Sequence, residues 1–368
     1  MDRVERLKKD VLASADAEKI NVAIDNIVKH PYADYLCLYG AGNTARITIA
    51  AFERQNIKID FLCESSGGGS IGKTFYGYRV ISYDDLLLVK DRTLVIPAYG
   101  DPRGCYEKLK SNGFPYVIYC NELMIDNIET LRQLDKCKLC ENITELQDMC
   151  TDGKSFETAL IVLKSMLKLE ISFDEIQTVY TSGQYILPGL FEPCAGDNIV
   201  DCGAYTGDTV ESFVKYLPDY GKIYAIEMDE ANYNTLLQNT KEYRDVRCYN
   251  AGVSDREGIS YYSREGTSST FTQSGSQMAR LTTLDSLLYG ERIDFIKMDI
   301  EGAEVVALRG AEGIIRDQKP KCAICVYHNP TQMLEVPILL RQFVPDYKIY
   351  IRHHLNNMFY ETVCYTTL

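Results

Sequence analysis

Asn198–Val210 reads NIVDCGAYTGDTV. An apolar pair, Ile199 and Val200, runs into Asp201; Gly203 and Gly207 follow, then Asp208 and a helical pattern. This is a strand that stops, a tight turn, and a helix that starts. Glycine lets backbone approach a bound molecule with no Cβ in the way. A new helix offers unpaired amide groups in its first turn. The stretch therefore predicts the nucleotide-cofactor cradle of an α/β domain.

Downstream the chain alternates. Strands are expected over Asn198–Gly203, Lys222–Glu227, Val246–Val253, Asp294–Asp299 and Cys322–Tyr327, with helices over Thr209–Leu217, Asn232–Asn239 and Ala303–Ile315. Such alternation predicts a parallel sheet covered on both faces. Tyr347–His353 and Glu361–Thr367 are two further strands with only a short loop between them. Parallel neighbours need a crossover of about a dozen residues or more, so this last pair is antiparallel. A doubly wound sheet that closes this way resembles the class I S-adenosylmethionine-dependent methyltransferases.

Upstream, two helical patterns fill residues 1–30, and Pro31 ends the second. Tyr35–Gly40 is a short strand leading into Gly40-Ala41-Gly42-Asn43-Thr44-Ala45 and a helix, a GxGxxA turn in the strand-to-helix setting that gives it meaning. Strands are also expected over Lys58–Cys63, Leu94–Ala98 and Tyr116–Cys120, with Glu64 where a ribose-binding acid would stand. The expected organisation is a smaller Rossmann-like domain with its preceding helices (1–121), a helical connector (122–190) and the main domain (191–368).

The chain has 368 residues, 46% of them hydrophobic, and a net charge of −13 with no basic cluster. Nucleic acids and anionic membranes want clustered Lys and Arg, so neither is an expected partner. No run has the roughly 18 apolar residues of a membrane span, and the first 20 residues lack an apolar signal-peptide core. Thirteen cysteines then read as reduced thiols of a cytoplasmic protein. Cys137/Cys140 and Cys322/Cys325 have CxxC spacing, but closed zinc sites need four ligands and a strand points i and i+3 to opposite faces. Neither is read as a metal site.

Ligands of open α/β sheets bind at the carboxyl ends of the strands. Asp201, Glu227, Asn250 and Asp299 stand there, with His328, His353 and His354, which are three of the four histidines in the chain. Gly203 and Gly207 would clear room for the methionine part of the cofactor. Asp201 and Asp208 would set negative charge near its sulfonium and amine. Glu227 offers two acceptor oxygens to a ribose diol, and Asn250 could meet the adenine edge. His328 is the first choice of general base, since imidazole titrates near neutrality, and Asp299 the second, as base or as the group that orients the acceptor. Asp299, His328 and His354 are also compatible with a two-His-one-carboxylate metal site, although no metal is assigned. Glu304, at a helix start, is accounted for by the helix dipole. Ser268–Ser276 is a candidate acceptor loop.

From about Gln184 onward the chain resembles the FkbM family of S-adenosylmethionine-dependent methyltransferases, in VDCGAYTGDT, YAIEMDEANY, NAGVSDREG, LTTLDSLL, DFIKMDIEGAE, VYHNPTQMLEVP and YKIYIRHH. The N-terminal part resembles the accessory domain of bacterial members. The resemblance implies S-adenosylmethionine as cofactor and methyl transfer to a hydroxyl of a sugar, glycan or small metabolite. Tyr205 and Met228, inside the first two motifs, join the expected cofactor set. Thr206 stands where many members carry Asp, leaving Asp208 as the acid of that turn. Two other readings compete: an NAD(P)-dependent or nucleotide-sugar-binding protein working from the GAGNTA turn, and a non-catalytic cofactor-binding protein. A homo-oligomer is compatible with the sequence.

Overall fold

The computed structural model describes residues 3–65, 67–265, 268–271, 277–358 and 360–368. The chain forms two compact units, one of residues 1–140 with 160–178 and 355–359, the other of residues 141–159 with 179–354 and 360–368. Among the described residues no helix is long and apolar enough to cross a membrane.

The first unit is built on strands β1 (Tyr35–Tyr39), β2 (Phe61–Glu64), β3 (Thr74–Phe75), β4 (Tyr78–Ser82) and β5 (Thr93–Pro97), in the order β3-β4-β2-β1-β5. All pair parallel except β3 with β4. The expected strand at Tyr116–Cys120 reduces to a single bridge, Val95 to Val117. The Gly40–Ala45 turn leads into the helix Asn43–Arg54. Glu64 does not stand free for a ribose, because its carboxylate accepts from Ser70 N at 3.0 Å and so ties down its own loop.

The second unit carries the main sheet. Its strands are β6 (Ile199–Cys202), β7 (Ile223–Glu227) and β8 (Val246–Asn250), then β13 (Phe295–Met298), β14 (Lys321–Cys325), β15 (Lys348–His353) and β16 (Thr362–Thr367). The order is β15-β16-β14-β13-β6-β7-β8. β6, β7, β8, β13 and β14 run parallel, and β16 is antiparallel to both β14 and β15. Every residue of β6, β7 and β13 is buried, which is what near-continuous apolar runs covered on both faces produce. The α/β class and the closing antiparallel pair are thus present.

Two sequence expectations change here. Val246–Val253 is not one strand. It breaks at Ala251, and β9 (Gly252–Val253) joins a second sheet with β10 (Gly258–Glu265), β11 (Ser268–Phe271) and β12 (Gln277–Thr282), ordered β11-β10-β12-β9. The candidate acceptor loop therefore begins as strand β11, and its residues 272–276 lie outside the described residues. Ala303–Ile315 is two helices, Glu304–Arg309 and Glu312–Gln318. The break holds Gly310, where a Cβ would fall 1.9 Å from the Ser254 carbonyl oxygen.

Candidate active site

The turn after β6 is shaped first by its neighbours. Gly203 has φ +76°, and a Cβ there would lie 1.8 Å from the Asp299 carbonyl oxygen. No side chain fits, because two strand ends meet backbone to backbone. Gly203→Ala is expected to leave most of the protein insoluble or unfolded, as read by soluble yield and circular dichroism; a soluble variant melting within a few degrees of wild type would refute the steric argument. At Gly207, φ +94°, a Cβ would lie 3.0 Å from the Leu236 side chain and 3.2 Å from that of Thr240. Its missing Cβ makes room for packing against the helix Glu230–Thr240, not for a ligand, which corrects its expected role.

Beyond the turn lies a cavity of about 390 Å³, within the range of small-molecule sites. Gly203, Tyr205, Asp208, Ile226, Glu227 and Met228 line it, together with Ala251–Val253. Lys297, Asp299, Glu301, Tyr327 and Glu361 complete the wall. Strand order explains the division. β7 and β8 flank β6 on one side, and β13, β14 and β16 lie on the other.

On the β7 side, Glu227 is the organising acid. Its Oε2 accepts from Tyr205 N at 2.9 Å and its Oε1 from Asp229 N at 2.7 Å. Tyr205 reaches this position in a left-handed conformation, φ +48°. Burial pushes the Glu227 carboxyl up, against these two donors. Asp229 then caps the next helix through Asn232 N at 2.9 Å. Asn250 corrects an expectation. Its side-chain amide donates to the Glu227 and Met228 carbonyls at 2.9 and 3.0 Å, so it braces the strand end while the neighbouring Ala251–Val253 meet the cavity.

On the β13 side, Lys297 is the residue that sequence reasoning missed. It is 2% exposed, pairs with Asp201 Oδ1 at 2.8 Å, and donates to the Gly203 carbonyl at 2.8 Å. Burial works against its charge, but Asp201 and Asp299 overcome this and raise its pKa. Asp201 is fully buried behind the turn. It holds Lys297 and does not face a sulfonium as expected. The available signal was a lone cation inside the apolar run FIKM; a buried Lys needs a partner.

Asp299 accepts from the hydroxyls of Tyr185 at 2.9 Å and Tyr327 at 3.3 Å. Burial opposes its ionisation, yet the charges of His328 and Lys297 hold its carboxyl below the usual range. His328 stands behind it, with a side chain 3% exposed. Its Nδ1 lies 3.0 Å from Glu304 Oε1, and its Nε2 lies 3.4 Å from Asp299 and 3.5 Å from Glu301. Burial works against the charged ring, and these carboxylates outweigh it, Glu304 foremost, so its pKa rises to about 10. The ring does not line the cavity, and both of its nitrogens face carboxylates, so the structure places His328 behind the acids as their anchor and away from the acceptor side where it was expected as base.

Glu304 is more than a dipole partner. It is fully buried, accepts from Ile300 N at 3.0 Å and Gln332 Nε2 at 2.7 Å, and sets the His328 ring. Asp299, Glu304 and His328 have ligand-type atoms within 4.8 Å of one another, and no other such group occurs among the described residues. Each already has protein partners, and the cluster holds together as an ion-pair network. His354 does not join it. Its Nδ1 lies 2.8 Å from the Thr181 carbonyl and its Nε2 2.7 Å from the Tyr365 hydroxyl, so the two-His metal arrangement is not formed. His353 is buried beside Thr362 at 2.8 Å.

The comparisons agree with this architecture. Methyltransferase FkbM from Methylobacillus flagellatus KT superposes over 99% of this chain and 100% of its own, at a TM-score of 0.77 and 19% identity, which establishes a shared fold. Fibrillarin from Aeropyrum pernix with natively bound S-adenosyl-L-methionine is 16% identical over 50% of this chain and 72% of its own, at a TM-score of 0.34, too distant to carry an argument. Among curated proteins none matches. Residues 201–351 match the family model described as Methyltransferase FkbM domain. That span begins at Asp201 and takes in Glu227, Lys297, Asp299, Glu304 and His328, so the part of the chain that holds most of the cavity wall is the part similar to a methyltransferase FkbM domain.

Proposed function

We propose that the protein is an S-adenosylmethionine-dependent O-methyltransferase whose acceptor is a hydroxyl of a sugar, glycan or small metabolite. The observation that carries this reading is the division of one cavity: Glu227 stands on one flank of the Gly203 turn and Asp299 on the other. The residues on the first flank suit the cofactor. Glu227 keeps a carboxylate at the cavity for ribose hydroxyls. Ile226, Met228 and Val253 offer apolar wall for a flat base, while Tyr205 and Asp208 close the turn side.

S-adenosylmethionine, when bound, supplies a methyl group on a cationic sulfur. The chain's own part is alignment and charge. Asp299, kept ionised by Lys297 and His328, accepts a hydrogen bond from a neighbouring polar group of the acceptor and so turns the reacting oxygen toward the methyl group. Tyr185 and Tyr327 fix the Asp299 carboxylate from two sides. Such alignment contributes up to about 7–11 kcal/mol in ideal cases.

Thermal-shift titration of the whole chain with S-adenosylmethionine, S-adenosylhomocysteine and NAD(H) tests the reading. At about 100 times Kd, a ligand stabilises by about 2.7 kcal/mol. Both adenosyl ligands are expected to raise the melting temperature by several degrees. Stabilisation by NAD(H) alone would move the binding function to the GAGNTA turn and overturn the proposal.

A further inference from the structure

Glu361 lies beyond the residues of the family match. It immediately precedes β16, and because β16 runs antiparallel to β14, its start lies at the edge where β13 and β14 end. The chain thus returns an acid to the cavity wall beside Asp299 and Tyr327. Glu361 has φ +61°, an uncommon conformation for a residue with a side chain, which persists where the surroundings impose it. Here His354 N donates to the Glu361 carbonyl at 2.9 Å, and Val326 N donates to the carbonyl of Thr362 at 2.9 Å. Gln184 Nε2 donates to Glu361 Oε2. That bond uses one carboxylate oxygen of two.

We propose that Glu361 is the general base of the transfer, taking the proton of the acceptor hydroxyl while Asp299 orients it. The inference rests on the methyltransferase reading. The acceptor O–H bond breaks and its proton passes to a Glu361 oxygen. The acceptor oxygen forms the new bond to the methyl carbon, and the electron pair of the methyl–sulfur bond goes to sulfur. A sulfonium and a carboxylate become a neutral thioether and a neutral carboxylic acid, so atoms and charge balance.

The electrostatics of the wall agree with this assignment. Burial, then the charge of Asp299, push the Glu361 carboxyl up to about 7, against the Gln184 hydrogen bond and the charges of His328 and Lys297. Tyr185, Tyr327, Tyr365 and Cys325 also face it, all held neutral by burial. A base works best with its pKa near the operating pH. Two acids whose surroundings drive them apart, Asp299 down and Glu361 up, have divided roles.

Glu361→Gln tests the inference in three readouts. The first is the melting temperature of the ligand-free protein from pH 5 to 8.5. A carboxyl raised in the folded state adds stability that is full below its unfolded pKa and lost as pH rises through about 7. The variant is therefore expected to melt close to wild type at pH 5 and roughly 3–8 °C above it at pH 8; a difference that does not change with pH overturns the assignment. The second is S-adenosylhomocysteine affinity, expected to stay within about threefold of wild type. If wild type itself fails to bind, the methyltransferase reading falls, whereas intact binding with a pH-independent melting difference sinks the base alone. The third is methyl transfer to a glycoside acceptor, where kcat is expected to fall by about 10²–10⁴-fold and to lose the wild-type midpoint near pH 7. Activity within tenfold of wild type, with that midpoint kept, overturns the proposal.

Discussion

Glu227→Ala is expected to abolish measurable binding of S-adenosylhomocysteine. Two hydrogen bonds from ribose hydroxyls to an ionised carboxylate contribute about 1.5–3 kcal/mol each, so together about 3–6 kcal/mol, or roughly 10²–10⁴-fold in Kd. The structure adds a second loss. Glu227 also accepts from Tyr205 N and Asp229 N, so removing its carboxylate leaves two amides without their acceptor and loosens the turn that forms the cavity floor. Glu227→Gln separates the contributions, because it retains an acceptor oxygen and gives up the charge. Isothermal titration calorimetry on folded protein should rank the affinities as wild type, then Gln, then Ala. An alanine variant that binds within tenfold of wild type would remove Glu227 from the cofactor site.

The second large effect is expected at Lys297. Lys297→Met keeps most of the side chain's bulk and strands the Asp201 carboxylate, fully buried, with its ion-pair partner gone. Breaking a buried pair from one side costs about 3–5 kcal/mol, and here the Gly203 carbonyl also loses a donor. Urea denaturation should show a loss of that size. Adding Asp201→Asn to Lys297→Met should restore a large part of it, since the stranded charge is then gone. A single variant within about 1 kcal/mol of wild type would mean that the pair holds nothing together.

Much of this arrangement is legible in the sequence, for physical reasons. The apolar run of β6 ending in Asp201, the glycines and the helix that follows are local, so NIVDCGAYTGDT reads directly as strand, turn and helix. The place of Glu227, at the end of β7 and on the cavity wall, is equally legible, because ligands of open α/β sheets gather at strand ends. The antiparallel ending follows from loop length alone. What escapes depends on contacts between distant residues. Whether Asp201 faces a ligand or a lysine is decided by Lys297, two strand ends meeting across the sheet. Whether His328 is a base or an anchor depends on Glu304, twenty-four positions earlier, and on Asp299. Gly207 and Asn250 carry residue types common in ligand turns, but one packs a helix and the other ties carbonyls. The break at Ala251 and the β9–β12 sheet leave no periodic signature, because a two-residue strand has none.

The division of the cavity wall also bears on how such a domain can diversify. The flank with Glu227 is drawn from one continuous stretch, Gly203 to Val253, while the opposing flank comes from Lys297 to Glu361. Each half can therefore accumulate substitutions as a separate module. If the proposed function holds, the second can change its choice of acceptor without disturbing the first, provided the seam between them holds. That seam is Lys297 with Asp201 and the backbone approach of Gly203 to Asp299. It is where exchange of segments between such domains should fail, and on either side of it exchange should be tolerated.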